Sequence, residues 1–113
     1  MSLEAIERKR EALLKEVIKT TKEKRKLHLN DPAISKYWDK LIELLSVDLE
    51  DTKYVLERVG EENLYQINEV FDDISYIFQS KEFILLLEEL SKKYPQLDLE
   101  TDIKWAKEMM NES

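Results

Sequence analysis

Residues 61–78 read EENLYQINEVFDDISYIF, and the spacing of their apolar side chains indicates the fold of the chain. At about 100° per residue, these side chains fall on one broad arc of a single continuous helix. The apolar arc consists of Leu64, Ile67, Val70, Phe71, Ile74, Ile77 and Phe78. The opposite arc is acidic and carries two tyrosines; it consists of Glu62, Tyr65, Glu69, Asp72, Asp73 and Tyr76. We therefore predict a core helix whose second face is where a function would be found.

The composition favours a single all-α domain. The chain has 113 residues, of which 42% are hydrophobic, and this is enough for one small core. One glycine and two prolines leave almost no residues for tight β-turns. The absence of cysteine excludes disulfides and cysteine-based zinc sites. No apolar run approaches the roughly 20 residues of a membrane span, and the N-terminus lacks the apolar core of a signal peptide, so we expect a cytoplasmic protein.

The first of about six expected helices covers residues 3–27. Its apolar positions are Leu3, Ile6, Leu13, Leu14, Val17 and Ile18. From Lys19 to Lys26 the sequence is almost entirely polar. We expect this half of the helix to bury little, and either to project from the fold or to pack through one thin edge.

Capping residues predict where the later helices begin and end. The expected N-caps are Asp31 (followed by Pro32 at the first helical position), Asp48, Ser80 and Asp98. Gly60 is expected as the left-handed residue that ends a helix. The helix after Ser80 should run to Lys93 and be the most buried of all, because Ile84 and Leu85 make it apolar nearly all round.

Charge is distributed unevenly along the chain. Residues 1–30 contain nine basic and five acidic side chains, a net charge of +4, whereas residues 31–113 contain nine basic and twenty acidic ones, a net charge of −11. This asymmetry predicts a basic N-terminal helical arm, residues 1–30, and an acidic all-helical domain, residues 31–113. Because the arm lacks aromatic residues and belongs to an acidic protein, we expect a solvated face and no direct contact with nucleic acid or membrane.

Two segments of the chain are similar to each other. Residues 35–46 and 80–91 are identical at six of twelve aligned positions, and residues 48–50 match residues 98–100. Helix pairs that repeat near every 45 residues have the period of HEAT or armadillo units. The sequence thus leaves two architectures open, HEAT-like helix pairs and an irregular helical bundle.

No group of residues predicts catalysis or a cofactor. His28 is the only histidine, and neither a nucleophile nor a glycine-rich loop accompanies it. Glu69, Asp72 and Asp73 could converge on one side of a helix, but helical carboxylate metal sites draw ligands from several helices, often with histidine. We expect a protein that is not an enzyme and that holds no metal.

The acidic arc with its two tyrosines is the one candidate for a binding site. Tyrosine is a large, rigid and amphipathic residue that is enriched in interfaces, and carboxylates beside it accept hydrogen bonds from Arg and Lys. Tyr54 and Trp105 could extend such an interface. The alternative is that another helix covers this arc and buries Tyr65 and Tyr76 with their hydroxyl groups satisfied.

Four segments resemble a known class of proteins. They are residues 37–45 (YWDKLIELL), 67–74 (INEVFDDI), 79–84 (QSKEFI) and 94–99 (YPQLDL). Together they are similar to the small helical immunity-type proteins that accompany bacterial polymorphic or contact-dependent toxins. The resemblance covers roughly residues 37–105 and leaves out the basic first helix.

The resemblance implies a stoichiometric inhibitor that binds a cognate toxin, often a nuclease or deaminase, and blocks its active site. Tyr65 and Tyr76 would then be anchors, and the charge partners would be Glu62, Glu69, Asp72 and Asp73. A function of a different class stays open beside it, a HEAT-like adaptor or a self-associating helical scaffold. Homo-oligomers would form through residues 3–18.

Overall fold

A computed structural model describes residues 2–28 and 30–110, and this part of the chain is helical and contains no strand. The α-helices are α1 (Leu3–Arg25), α2 (Ile34–Leu45), α3 (Leu49–Leu56), α4 (Glu61–Ile67), α5 (Phe71–Phe78), α6 (Lys81–Lys93) and α7 (Glu100–Glu108). Two short 3₁₀ segments, Asn68–Val70 and Pro95–Leu97, connect α4 to α5 and α6 to α7. The predicted all-α fold with a long N-terminal helix is confirmed.

One apolar core lies between the helices. Its fully buried large side chains are Leu41, Leu45, Val55, Leu56, Leu64, Ile67, Phe71, Ile74, Phe83, Leu87 and Leu99. Helix α1 packs across α2, α3 and α4, and α7 packs mainly on α5 and also on α6. Helices α2 and α3, and helices α6 and α7, are in contact as two repeated pairs would be. The most extensive contact, however, is that of α7 with α5, so the fold is better described as an irregular bundle.

Residues 61–78 are not one continuous helix, and here the prediction was wrong. The 3₁₀ segment Asn68–Val70 interrupts the helix, and Val70 has backbone angles of −111° and 9°. Leu64, Ile67 and Val70 recur every third residue, a spacing that 3₁₀ geometry aligns in one row, and all three are buried. Beyond the interruption Ile77 points away from the core and is half exposed, contrary to its predicted place on the apolar arc.

The second half of α1 packs through one narrow edge, which is one of the two predicted alternatives, and it does not project from the fold. Thr20, Thr21 and Lys24 are buried, and Thr21 and Lys24 form hydrogen bonds with Asn63 and Gln66 of α4. In the first half, Val17 is buried and Leu13, Leu14 and Ile18 pack partly against the core, whereas Leu3 stays largely exposed. The boundary proposed at residue 30 stays a prediction, as does self-association through residues 3–18.

Two of the predicted N-caps are confirmed. The Asp48 carboxylate accepts a hydrogen bond from the backbone N–H of Asp51 at the start of α3. The Ser80 hydroxyl accepts one from the backbone N–H of Glu82 at the start of α6, which ends at Lys93 as expected. In α6, however, Leu85 is mostly exposed, so this helix has an open side that its composition did not predict.

The caps predicted for α2 and α7 were wrong. The Asp31 carboxylate accepts from the backbone N–H of Ala33 in a tight turn, and α2 begins only at Ile34, so Pro32 precedes the helix. Asp98 adopts a left-handed conformation (φ 52°) that closes the 3₁₀ turn after Pro95, and α7 begins two residues later. Such short polar side chains tolerate this region of backbone space.

Gly60 has a positive φ, as predicted, but it lies before the start of a helix and not at the predicted end of one. Helix α3 ends at Leu56, and Gly60 is the residue before the first turn of α4. Its angles, 86° and 163°, lie in a region that side-chain-bearing residues avoid and that differs from the left-handed helical region.

Candidate partner-binding surface

Both tyrosines of the predicted binding arc are exposed. Tyr65 is 55% exposed and Tyr76 is 57% exposed. No helix of the described chain covers them, so the alternative in which they are buried with satisfied hydroxyl groups does not hold. Their role in binding a partner stays a prediction.

The interruption at residues 68–70 separates the two tyrosines around the helix axis. In a continuous helix, eleven residues at about 100° each would leave Tyr65 and Tyr76 only about 20° apart. Three residues in 3₁₀ geometry turn by about 120° each, which adds about 60°. The two tyrosines therefore lie about 80° apart and face different neighbours.

Tyr65 and the acidic residues on its side face the end of α1. The guanidinium of Arg25 pairs with the carboxylate of Glu62, with 2.9 Å between Nη1 and Oε2. The ammonium of Lys24 lies 2.7 Å from Oε1 of Glu69. The other oxygen of Glu69, Oε2, accepts a hydrogen bond of 2.8 Å from the indole N–H of Trp38. Glu69 is thus bound within the protein on both of its oxygens.

These pairs belong to a larger polar contact between α1 and residues 62–69. It consists of Thr21, Lys24, Arg25, Glu62, Asn63, Gln66 and Glu69. The Thr21 hydroxyl donates to Oδ1 of Asn63 at 2.8 Å, and the Lys24 ammonium also donates to Oε1 of Gln66 at 2.9 Å. The sequence already contained a signal for this contact. The helical row that begins with the apolar residues Leu13 and Val17 continues through Thr20 or Thr21 to Lys24, although these later residues are polar.

Asp72, Asp73 and Asp102 have no such partners. None of the three forms an ion pair with a basic side chain in residues 2–28 and 30–110. Partial burial, followed by the charges of Asp72 and Asp39, raises the pKa of Asp73 above its usual value. Partial burial also raises the pKa of Asp102, and the charge of Asp72 adds to this effect. Partial burial and neighbouring negative charge therefore disfavour the ionised forms of Asp73 and Asp102.

Asp102 joins this group because α5 and α7 lie side by side in parallel. The Ser75 hydroxyl on α5 donates to the backbone carbonyl of Ala106 on α7 at 2.6 Å. One turn further along, the Gln79 amide donates to the carbonyl of Met109 at 2.9 Å. The surface along this contact, here called the α5–α7 seam, consists of Asp72, Tyr76, Asp102, Trp105 and Met109.

The sequence pattern predicted three of the five seam residues, one of them only as a possible extension. Asp72 and Tyr76 were on the predicted arc, and Trp105, which is 55% exposed, was a possible extension of it. Asp102 and Met109 were missed, because their position beside α5 depends on how two distant helices pack. Tyr54, the other possible extension, is half-buried and donates its hydroxyl hydrogen bond to Glu11 on α1.

The remaining candidates were His28 and a carboxylate metal site. His28 is exposed after the end of α1. No three carboxylate, histidine or cysteine side chains within residues 2–28 and 30–110 are grouped so that they could hold a metal ion. In that same part of the chain, no helix has the length and apolarity needed to cross a lipid bilayer.

The chain matches no protein-family model, and no curated protein or solved structure shows significant similarity to it. The interpretation of the surface therefore rests on its own geometry and charge.

Proposed function

We propose that this chain is a cytoplasmic, non-catalytic binding protein of the immunity type. It would neutralise a cognate basic toxin of the nuclease or deaminase class by covering its active site. The observation that carries the proposal is the exposure of Tyr76 beside the unpaired carboxylates of Asp72 and Asp73. An exposed aromatic ring next to uncompensated negative charge is the composition of a surface that binds a basic partner.

The charge of the chain supports the same proposal. An enzyme that acts on nucleic acid needs a positive cleft, and a protein with a net charge of −7 is attracted to such a cleft over distances of up to about one Debye length. Attraction of this kind speeds association, and rapid capture is what an inhibitor of a toxin requires.

The structure refines the set of residues that this function would use. Tyr65, Asp72, Asp73 and Tyr76 are available to a partner. Glu69 already has a basic partner and an indole N–H on its two oxygens, so in this proposal it holds α1 in place. Glu62 pairs with Arg25 but its side chain is largely exposed, so it can exchange that pair for one with a partner.

The test is the affinity for the toxin domain encoded by the neighbouring gene. In the double variant Asp72→Lys/Asp73→Lys, like charges would face the basic partner, and we expect the dissociation constant to rise about 100-fold or more. Calorimetry or surface plasmon resonance at two salt concentrations measures this change, and circular dichroism checks that the fold is intact.

The matched control is Glu50→Lys/Glu89→Lys, two exposed residues in the groove between α3 and α6. It changes the net charge from −7 to −3, as the test variant does. A modest loss in the control with a large loss in the test variant supports a local site. Unchanged binding of a folded Asp72→Lys/Asp73→Lys variant would refute the proposal, and so would failure of the wild type to bind.

A further inference from the structure

The α5–α7 seam presents three large exposed side chains along two adjacent helices. Tyr76 lies on α5, Trp105 lies on α7, and Met109 is the residue that directly follows α7. Single exposed apolar residues are ordinary on a protein surface, but neighbouring ones with polar surroundings are typical of binding sites. The seam therefore differs from isolated positions such as Leu85 on α6.

Backbone contacts fix where these side chains lie. Ser75 bonds to the carbonyl of Ala106, so the next residue on α5, Tyr76, and the preceding residue on α7, Trp105, flank the same level of the seam. Met109 follows one turn later, where its carbonyl accepts from the side chain of Gln79. Parallel helices in contact have axes about 8–10 Å apart, so one side chain of a partner can contact the rings of both Tyr76 and Trp105.

Negative charge lies at the other end of the seam. Asp72 precedes Tyr76 by one turn of α5, and Asp102 precedes Trp105 by one turn of α7. Asp72 lies three residues before Ser75 and Asp102 four residues before Ala106, so the hydrogen bond between Ser75 and Ala106 places the two carboxylates at a similar level of the seam. Neither forms an ion pair with a basic residue of the described chain.

We propose that the α5–α7 seam binds an arginine side chain of a basic partner protein, with its guanidinium between Asp72 and Asp102 and its plane against Trp105. A guanidinium donates several hydrogen bonds in a planar fork and also stacks on aromatic rings, whereas an ammonium is a compact and strongly hydrated charge. Two carboxylates and an indole on one seam match a guanidinium better than an ammonium. This inference rests on the proposed function only in assigning the arginine to a toxin.

The indole N–H resonances of the protein give a direct measurement. The chain contains two tryptophans, and the indole of Trp38 is already bonded to Glu69, so it serves as an internal reference. In ¹⁵N-labelled protein titrated with a nona-arginine peptide, we expect a saturable shift of the Trp105 resonance and little change at Trp38. The variant Trp105→Phe assigns the two signals.

Three comparisons make the result specific. Asp102→Asn should weaken peptide binding at least about threefold, whereas Glu89→Gln on α6 should leave it unchanged. Nona-lysine should bind about threefold or more weakly than nona-arginine. A Trp105 resonance that does not respond to nona-arginine, or equal affinity for the two peptides, would overturn the inference. A shift of Trp105 with protein concentration alone would assign the seam to a second copy of the chain and overturn it as well.

The toxin domain from the neighbouring gene separates this inference from the proposed function. Trp105→Ala should weaken that complex about tenfold or more, and Leu85→Ala, which truncates a similarly exposed apolar residue on α6, should not. If the Asp72→Lys/Asp73→Lys variant loses binding but Trp105→Ala does not, the seam inference is wrong and the proposed function stands. If nona-arginine binds the seam but the toxin domain does not bind the protein, the proposed function is wrong and the guanidinium preference stands.

Discussion

Replacing either member of the Lys24–Glu69 pair should destabilise the protein unequally. The ammonium of Lys24 is buried, with 6% of its side chain exposed, whereas the side chain of Glu69 is 42% exposed. Lys24→Met removes the buried charge and leaves a carboxylate that water can still reach. Glu69→Ala instead leaves the buried ammonium without its anionic partner. The second change should therefore cost more, although Glu69 is the more exposed residue.

The magnitudes follow from what each variant leaves behind. Leaving a buried charge unpaired costs about 3–5 kcal/mol, and Gln66 still accepts one hydrogen bond from Lys24, so we expect about 3 kcal/mol for Glu69→Ala. Lys24→Met loses its charge-assisted hydrogen bonds but ends the desolvation of the ammonium, so we expect about 1 kcal/mol. In the double variant no unpaired charge remains, so we expect its free energy of unfolding to fall by only about 1–2 kcal/mol.

Urea unfolding at neutral pH, followed by circular dichroism, measures all three variants. With a slope of about 1–3 kcal/mol per molar urea, a difference of 2 kcal/mol shifts the midpoint by about 1 M. Adding Lys24→Met to Glu69→Ala should thus restore stability. Arg8→Met is the control, because Arg8 and Glu4 form an exposed pair, and it should change stability by less than about 0.5 kcal/mol. A double variant less stable than Glu69→Ala would refute the reasoning.

Two further changes test the core and the seam. Thr52→Val removes the hydroxyl that donates to the buried carbonyl of Leu45 at 2.6 Å. In urea denaturation it should lower the free energy of unfolding by about 1–2 kcal/mol. The control is Ser35→Ala on the exposed side of α2. Asp102→Asn should raise the free energy of unfolding at pH 7, by no more than the roughly 0.5 kcal/mol typical of a surface substitution, because the folded protein holds the pKa of this carboxyl above its unfolded value. That gain should disappear as the pH falls through the raised pKa to below about 3.9, and an equal gain at pH 3 and pH 7 would contradict this origin.

Much of the fold could be predicted because it depends on local periodicity. The spacing of apolar residues identified the helices, and Asp48 and Ser80 act as the caps that their side-chain chemistry favours. The errors arise where tertiary packing determines the local geometry. A continuous helix over residues 61–78 would also bury Ile67 and Val70 on one face, so the spacing of the apolar residues does not reveal the 3₁₀ segment between them.

The binding surface was harder to predict than the helices. The exposure of Tyr65 and Tyr76 depends on which faces other helices cover, and a single helix does not encode that. The buried position of Lys24 was missed because lysine is usually a surface residue, and its burial depends on acceptors from Gln66 and Glu69 more than forty positions away. Asp102 became part of the seam only through the parallel packing of α7 on α5.

The interruption after Ile67 connects these observations. On its N-terminal side, Lys24 and Arg25 of α1 compensate the carboxylates of Glu69 and Glu62, so much of the positive charge of the first helix is used inside the fold. On its C-terminal side, rotated by about 60°, the carboxylates of the α5–α7 seam stay uncompensated. The basic helix thus does more than offset the total charge of an acidic protein. On the acidic arc it pairs with Glu62 and Glu69 and leaves Asp72 and Asp73 without a basic partner, and under the proposed function the basic partner would bind beside these two carboxylates.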